Sequence, residues 1–169
     1  MSIYFSSRTQ NTKTLAQALA AGLGLACYDL KDSYPLPGDE SLFFFGFWVD
    51  KGDMDEVAKA ALASFKGKKI ALFYSAGIDP EHEHVQNMNA QFKELSHAAG
   101  ALVMDSVFMS QGKIAQDVID MQRAMAAQYP DNPKLQITPE KEARWQRASR
   151  HPDEKDCASL VAWAKGLLG

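Results

Sequence analysis

Five hydrogen-bonding side chains fall within seven consecutive positions near the start of the chain: Ser6, Ser7, Thr9, Asn11 and Thr12, with Arg8 and Gln10 between them. An apolar run, Ile3-Tyr4-Phe5, precedes them and an amphipathic pattern follows, so the cluster occupies a strand-to-helix turn. Such a turn uses one or two residues of this kind, usually beside a glycine or proline. Capping the helix would take a single side chain, Ser7 or Asn11. The surplus suits an anion. A helix N-terminus offers unpaired N–H groups and a partial positive charge, and Ser, Thr and Asn add neutral donors to phosphate oxygens. Neither G-x-x-x-x-G-K-[ST] nor G-x-G-x-x-G occurs here, which excludes a P-loop and argues against a dinucleotide site. The ligand expected is one with a single phosphate end, held mainly by neutral donors, with Arg8 nearby.

Further along, "LFFFGFWVDKGD" ends an apolar run in Phe47, Trp48, Val49, Asp50, Lys51 and Gly52. A Trp at the carboxyl end of a strand can face a crevice and stack on a flat ligand. Phe47 or Trp48 fills that role, or both pack under the next helix. Gly46 and Gly52 allow close backbone approach, and Asp50 and Lys51 form a polar rim. Ser75, Ala76 and Gly77 make a small, permissive loop that reads as a ring slot or as a plain turn. Ser110, Gln111 and Gly112 repeat that pattern. "EHEH" at 81–84 does not hold a metal: His82 and His84 are two apart on a helix start, and His97 is out of register. Cys27 and Cys157 have no metal or redox spacing. No G-x-S-x-G occurs, His151 has no evident partner, and Trp145 and Trp163 read as packing residues. No catalytic residue is assigned.

The elements that must position these residues alternate. Strands are expected at Ile3–Phe5, Leu25–Asp29, "LFFFGFWV", "KKIALFYSAG" and "ALVMDSVFM". Leu15, Leu19 and Leu23 recur at helical spacing. A second helix is expected from Asp53, with Glu56 as its capping-box partner, and its inner face carries Val57, Ala61, Leu62 and Phe65. Asp79-Pro80 reads as the start of a third, with Val85, Met88, Phe92 and Leu95 inside. Ile114, Val118, Met121 and Met125 mark a fourth. Thr138-Pro139 and Asp153 cap two more helices, in a C-terminal helical extension at about 134–169. The pattern predicts one α/β domain over 1–169, a three-layer α/β/α sandwich on a five-stranded parallel sheet in order 2-1-3-4-5. In that order ligands bind at the carboxyl ends of strands one and three, where the two loops above lie.

Composition agrees with a soluble cytoplasmic protein: 46% hydrophobic and 23% charged residues over 169 positions. A net charge of −3 gives no footprint for nucleic acid. "LFFFGFWV" is too short to span a membrane, and no basic leader segment opens the chain.

"SSRTQNTK" resembles the phosphate-binding loop of flavodoxins, a Ser/Thr-x-Thr-Gly-Asn-Thr pattern. Ser7, Thr9, Asn11 and Thr12 match it, and Gln10 stands at the usual glycine. "GFWVDKG", "QGKI" and the tail "TPEKEARWQRASRHPDEKD" are similar to a bacterial branch of that family associated with bilirubin-reducing systems. The resemblance implies FMN, with its phosphate on residues 7–12 and its ring between 47–52 and 75–78. It implies electron transfer to a redox partner protein by a monomer or weak homodimer. Two alternatives stay open: an FMN-dependent reductase acting on a quinone or tetrapyrrole-like substrate, and a flavin-free binding module. The chain departs from the family in its modest charge and in lacking the second ring-stacking aromatic after strand four.

Overall fold

The continuous apolar runs lie side by side in a computed structural model that describes residues 1–169. β1 (Ser2–Phe5) runs parallel between β2 (Ala26–Asp29) and β3 (Phe43–Asp50), with Tyr4 opposite Tyr28 and Phe45. A short β4 (Asp53–Met54) folds back antiparallel on the end of β3. β5 (Lys69–Ala76) pairs parallel with the other edge of β3 over most of its length. The fifth position in the order is shared. β6 (Leu102–Val103) pairs with the start of β5 and β7 (Phe108–Gln111) with its end. The expected single strand is therefore split. Ser106 in the break accepts a hydrogen bond from Trp163 Nε1 at 2.7 Å, which holds the intervening loop off the ladder.

Both faces of the sheet are covered, as continuous hydrophobic strands require. α1 (Asn11–Leu23) packs Leu15, Ala16 and Leu19 against Ile3, Phe44 and Phe73. On the opposite face, α2 (Glu56–Ala61), a 3-10 turn at Leu62–Phe65 and α3 (His84–Ala98) cover an aromatic cluster. There Phe65 meets Tyr4, Phe43 and Phe45 edge-on at ring separations of 5.1, 5.7 and 5.1 Å.

Two helix starts differ from expectation. Asp53 belongs to β4, because Lys51 (φ 51°) and Gly52 (φ 86°) close a two-residue hairpin turn with both residues left-handed. The cap of α2 is Asp55, which accepts from the N–H groups of Val57 and Ala58, both at 3.1 Å. α3 starts at His84 and not at Pro80, since Asp79 is engaged elsewhere.

The C-terminal part also divides differently. α6 (Glu154–Leu168) buries Leu160 and Ala164 beside α1, in the same core cluster. A Cβ on Gly22 would come within 2.7 Å of Val161, so the two helices touch there through glycine. The segment outside the three layers lies between β7 and α6. It holds α4 (Gln116–Gln128), none of whose residues is buried, and α5 (Pro139–Ala148), which buries Trp145 and Ala148. No helix is long and apolar enough to cross a membrane.

Candidate functional site

The polar turn after β1 divides its labour. The Ser6 hydroxyl donates to the buried Asp55 carboxylate, which also accepts from the Trp48 N–H at 3.3 Å. One carboxylate thus locks the first loop to the end of β3. Thr12 is fully buried, 3.2 Å from the Phe47 carbonyl and 2.9 Å from Ser75 Oγ, so its hydroxyl ties α1 to the sheet and does not face the cavity. Asn11 donates to the Lys113 carbonyl at 2.9 Å. A Cβ on Gly112 would sit 2.5 Å from that Asn11 amide, so glycine is needed for the approach.

Gln10 adopts φ 68°, ψ −5° as the residue before α1, with an exposed side chain that makes no cap hydrogen bond. It takes the left-handed conformation that glycine adopts without penalty, at a cost of about 1 kcal/mol or more. The first turn of α1 is left without a side-chain cap, and beside it the buried Ser7 Oγ has no hydrogen-bond partner. A buried hydroxyl left unpaired costs about 1–3 kcal/mol.

The neighbouring wall is Trp48, Val49, Asp50 and Lys51. Phe47 is not part of it. Its side chain is fully buried on the other side of the strand, stacked on Tyr74 at 5.3 Å and 15°. Successive strand residues point to opposite faces, and only Trp48 turns toward the crevice. Gly52 serves the hairpin turn and does not line the cavity. The Arg8 guanidinium lies 5.6 Å above the Trp48 ring and pairs with Asp117 at the start of α4.

Ser75, Ala76, Gly77 and Ile78 form the far wall. Gly77 is pressed against Ile114, which a Cβ would meet at 2.6 Å. Gln111 is buried and outside the cavity; its amide donates to Asp79 Oδ1 at 2.9 Å. Arg147 of α5 donates to the other Asp79 oxygen at 3.0 Å. That guanidinium holds the Asp79 carboxyl below the usual carboxylate range, against the opposing effect of partial burial.

These walls and the α4–α5 segment enclose a cavity of about 500 Å³. Asp117, Val118, Met121 and Gln122 roof it from α4, and Arg144 and Trp145 from α5. Its lining carries four cations, Arg8, Lys51, Lys113 and Arg144, against two carboxylates, Asp50 and Asp117. A cavity with a cationic excess in a chain of net charge −3 suits an anionic ligand. The size is that of a small-molecule site. An uncapped helix start at one end and an indole wall beyond it fit a ligand with an anionic tail and a flat body.

Of the residues picked from sequence, Arg8, Thr9, Asn11, Trp48, Val49, Asp50, Ser75, Ala76, Gly77 and Gly112 line the cavity. Ser7, Gln10 and Thr12 stand beside or beneath it. Of the roof residues, Trp145 reads from sequence only as a packing residue, and Arg144 carries no reading. α5 is polar in composition, and its one large apolar side chain, Trp145, is 5% exposed. The one His/Asp cluster, His151, Asp153 and Asp156, is the capping box of α6, with His151 paired to Asp156 at 2.5 Å.

The chain belongs to the flavodoxin domain family, whose model matches residues 2–165. It is 26% identical over 172 residues to a flavodoxin-like domain-containing protein BilS from Clostridioides difficile, covering 98% of this chain and 94% of that protein. A second BilS protein, from Clostridium symbiosum, is 28% identical over 184 residues, covering 94% and 90%. Among solved structures, a Trp repressor binding protein from Bacillus subtilis superposes with a TM-score of 0.51 at 14% identity, over 79% of this chain and 99% of that one. The likeness to that structure concerns the fold alone.

Proposed function

We propose that the cavity binds FMN and that the protein passes electrons through it to a redox partner protein. The observation that carries this reading is the unmet polar demand at one end of the cavity: the unpartnered Ser7 Oγ beside an uncapped α1. A phosphate would satisfy both. Its binders are Ser7, Thr9, Asn11 and the backbone N–H groups from Gln10 onward, with Arg8 supplying charge. Trp48 is the stacking residue of the flat ring, flanked by Val49 and Asp50. Ser75, Ala76, Gly77 and Gly112 complete the opposite wall.

FMN, when bound, supplies the reversible uptake and release of electrons. The chain's own residues orient it and exclude water from it. Asp55 holds the Trp48 backbone, and Thr12 fixes the slot between β3 and β5. A second reading, a reductase acting directly on a small conjugated substrate, draws on the roof. α4 has no buried residue, so it can yield to a second ligand more readily than any core helix.

The test is direct. Purified protein mixed with FMN should retain flavin absorbance after desalting. Protein that stays colourless at saturating FMN would overturn the proposal. Retained flavin with rapid oxidation of NADH or NADPH in the absence of a partner would favour the reductase.

A further inference from the structure

Three buried side-chain polar atoms in the molecule lack a hydrogen-bond partner: Ser7 Oγ, Arg144 Nε and Trp145 Nε1. The last two are adjacent on α5, and both residues line the cavity roof. Arg144 also stands apart from the other arginines of the roof. Arg147 is paired with Asp79 and Arg123 with Glu142, but no carboxylate lies within ion-pairing distance of Arg144. Two neighbouring sealed N–H donors, the Nε of the half-buried Arg144 and the indole N–H of Trp145, are costly to leave without an acceptor.

Their place along the cavity identifies what they meet. Arg144 lies one helical turn before Arg147, whose guanidinium donates to Asp79, in the loop after β5, at 3.0 Å. The phosphate loop follows β1, two strands away across β3, a separation of roughly 10 Å at ordinary strand spacing. The pair therefore stands over the ring end of the cavity and not over the phosphate end.

We propose that Arg144 and Trp145 donate hydrogen bonds to the acceptor edge of the flavin ring, making the α4–α5 insertion part of the cofactor site. This rests on the FMN reading. The acceptors of a flavin are its ring carbonyls and unprotonated nitrogens, which match one guanidinium and one indole donor. Both atoms are buried in the roof, so their donation to the ring requires α5 to re-seat as the ring enters. Arg144 places positive charge beside the ring, which favours its reduced, more electron-rich form.

The experiment titrates FMN and riboflavin into wild type, Arg144→Lys, Arg144→Met and Trp145→Phe by fluorescence, with reduction potentials of the loaded proteins. Wild type binding FMN establishes the parent reading; wild type failing to bind it removes that reading and this one together. With FMN bound to wild type, Arg144→Met and Trp145→Phe are each expected to weaken both flavins by the same factor, roughly 3–10-fold. Arg144→Met should lower the potential, and Arg144→Lys should restore the potential while leaving affinity reduced. Unchanged affinities and potential overturn the proposal. So does a loss confined to FMN, which would move Arg144 to the phosphate. Melting curves of the ligand-free variants identify any that fail to fold, and the exposed-edge change Arg144→Lys keeps the test open if Trp145→Phe does.

Discussion

The floor and the roof of one cavity are built on opposite principles. The floor is tied by buried, mostly uncharged hydrogen bonds: Ser6 to Asp55, Thr12 to Phe47 and Ser75, Asn11 to Lys113. The roof is tied by ion pairs at the surface: Arg8 with Asp117, Arg147 with Asp79, Arg123 with Glu142. Buried bonds are costly to break because a sealed group loses water as well as its partner. Exposed pairs contribute about 0–1 kcal/mol each and weaken with salt. A rigid floor under a loosely fastened roof suits a site that must be preorganised yet admit a large flat ligand.

Breaking the floor should give the largest effects. Asp55 satisfies four donors, from Ser6, Trp48, Val57 and Ala58, and is 2% exposed. Asp55→Ala is expected to destabilise the protein by about 3 kcal/mol or more, lowering the melting temperature by roughly 6–12 °C. Urea unfolding measures it. A loss under about 1 kcal/mol would show that the floor is not held as described. Thr12→Val keeps the shape and removes the hydroxyl, for an expected loss of about 1–3 kcal/mol. It should leave the ratio of FMN to riboflavin affinity unchanged. Ser7→Ala should do the reverse, costing little stability and weakening FMN alone by roughly 10-fold or more. Comparing the two separates the hydroxyl that builds the loop from the one that serves the ligand.

How much was legible in the sequence follows the same division. The floor announced itself, because a crowd of hydroxyls between a strand and a helix has few structural uses. Strand order put residues 47–52 and 75–77 side by side, with Phe47 and Trp48 left as alternatives and Ser75–Gly77 readable as a slot or a turn. Thr12 is placed beneath the cavity, and a side chain that braces a loop looks in sequence like one that lines it. Phe47 was separable from Trp48 only through the strand's alternation, which a run buried on both faces conceals. Asp53 read as the helix cap, and the hairpin through Lys51 moves the cap two residues on, to Asp55. The roof was illegible for a physical reason. α4 and α5 cover a cavity and not a core: α4 buries none of its residues, so cavity-lining positions such as Val118 and Met121 read in sequence as an ordinary packed face.

Gln10 sits on the floor's edge and sharpens the comparison at lower magnitude. Its left-handed backbone is imposed by the loop, so Gln10→Gly should raise stability by about 0.5–1 kcal/mol with the fold unchanged. A destabilised variant would show instead that the glutamine side chain contributes something the exposed position hides.

The smallest effect belongs to the roof. Asp79 is the acid that joins α5 to the loop after β5, and its carboxyl titrates below the usual range because Arg147 donates to it. A carboxyl lowered in the folded state contributes stability that is complete above the unfolded value, about 3.9, and is lost as pH falls through the folded one. The melting-temperature difference between wild type and Asp79→Asn should therefore be small at neutral pH, begin to shrink as pH falls below about 4, and vanish only below the lowered folded-state value. Added salt should shrink it as well, because the carboxylate and the guanidinium are both substantially exposed. The Asp55 contribution should resist salt. If the Asp79 difference persists unchanged in high salt and in acid, the roof is fastened by packing around Trp145 and Ala148 and not by charge.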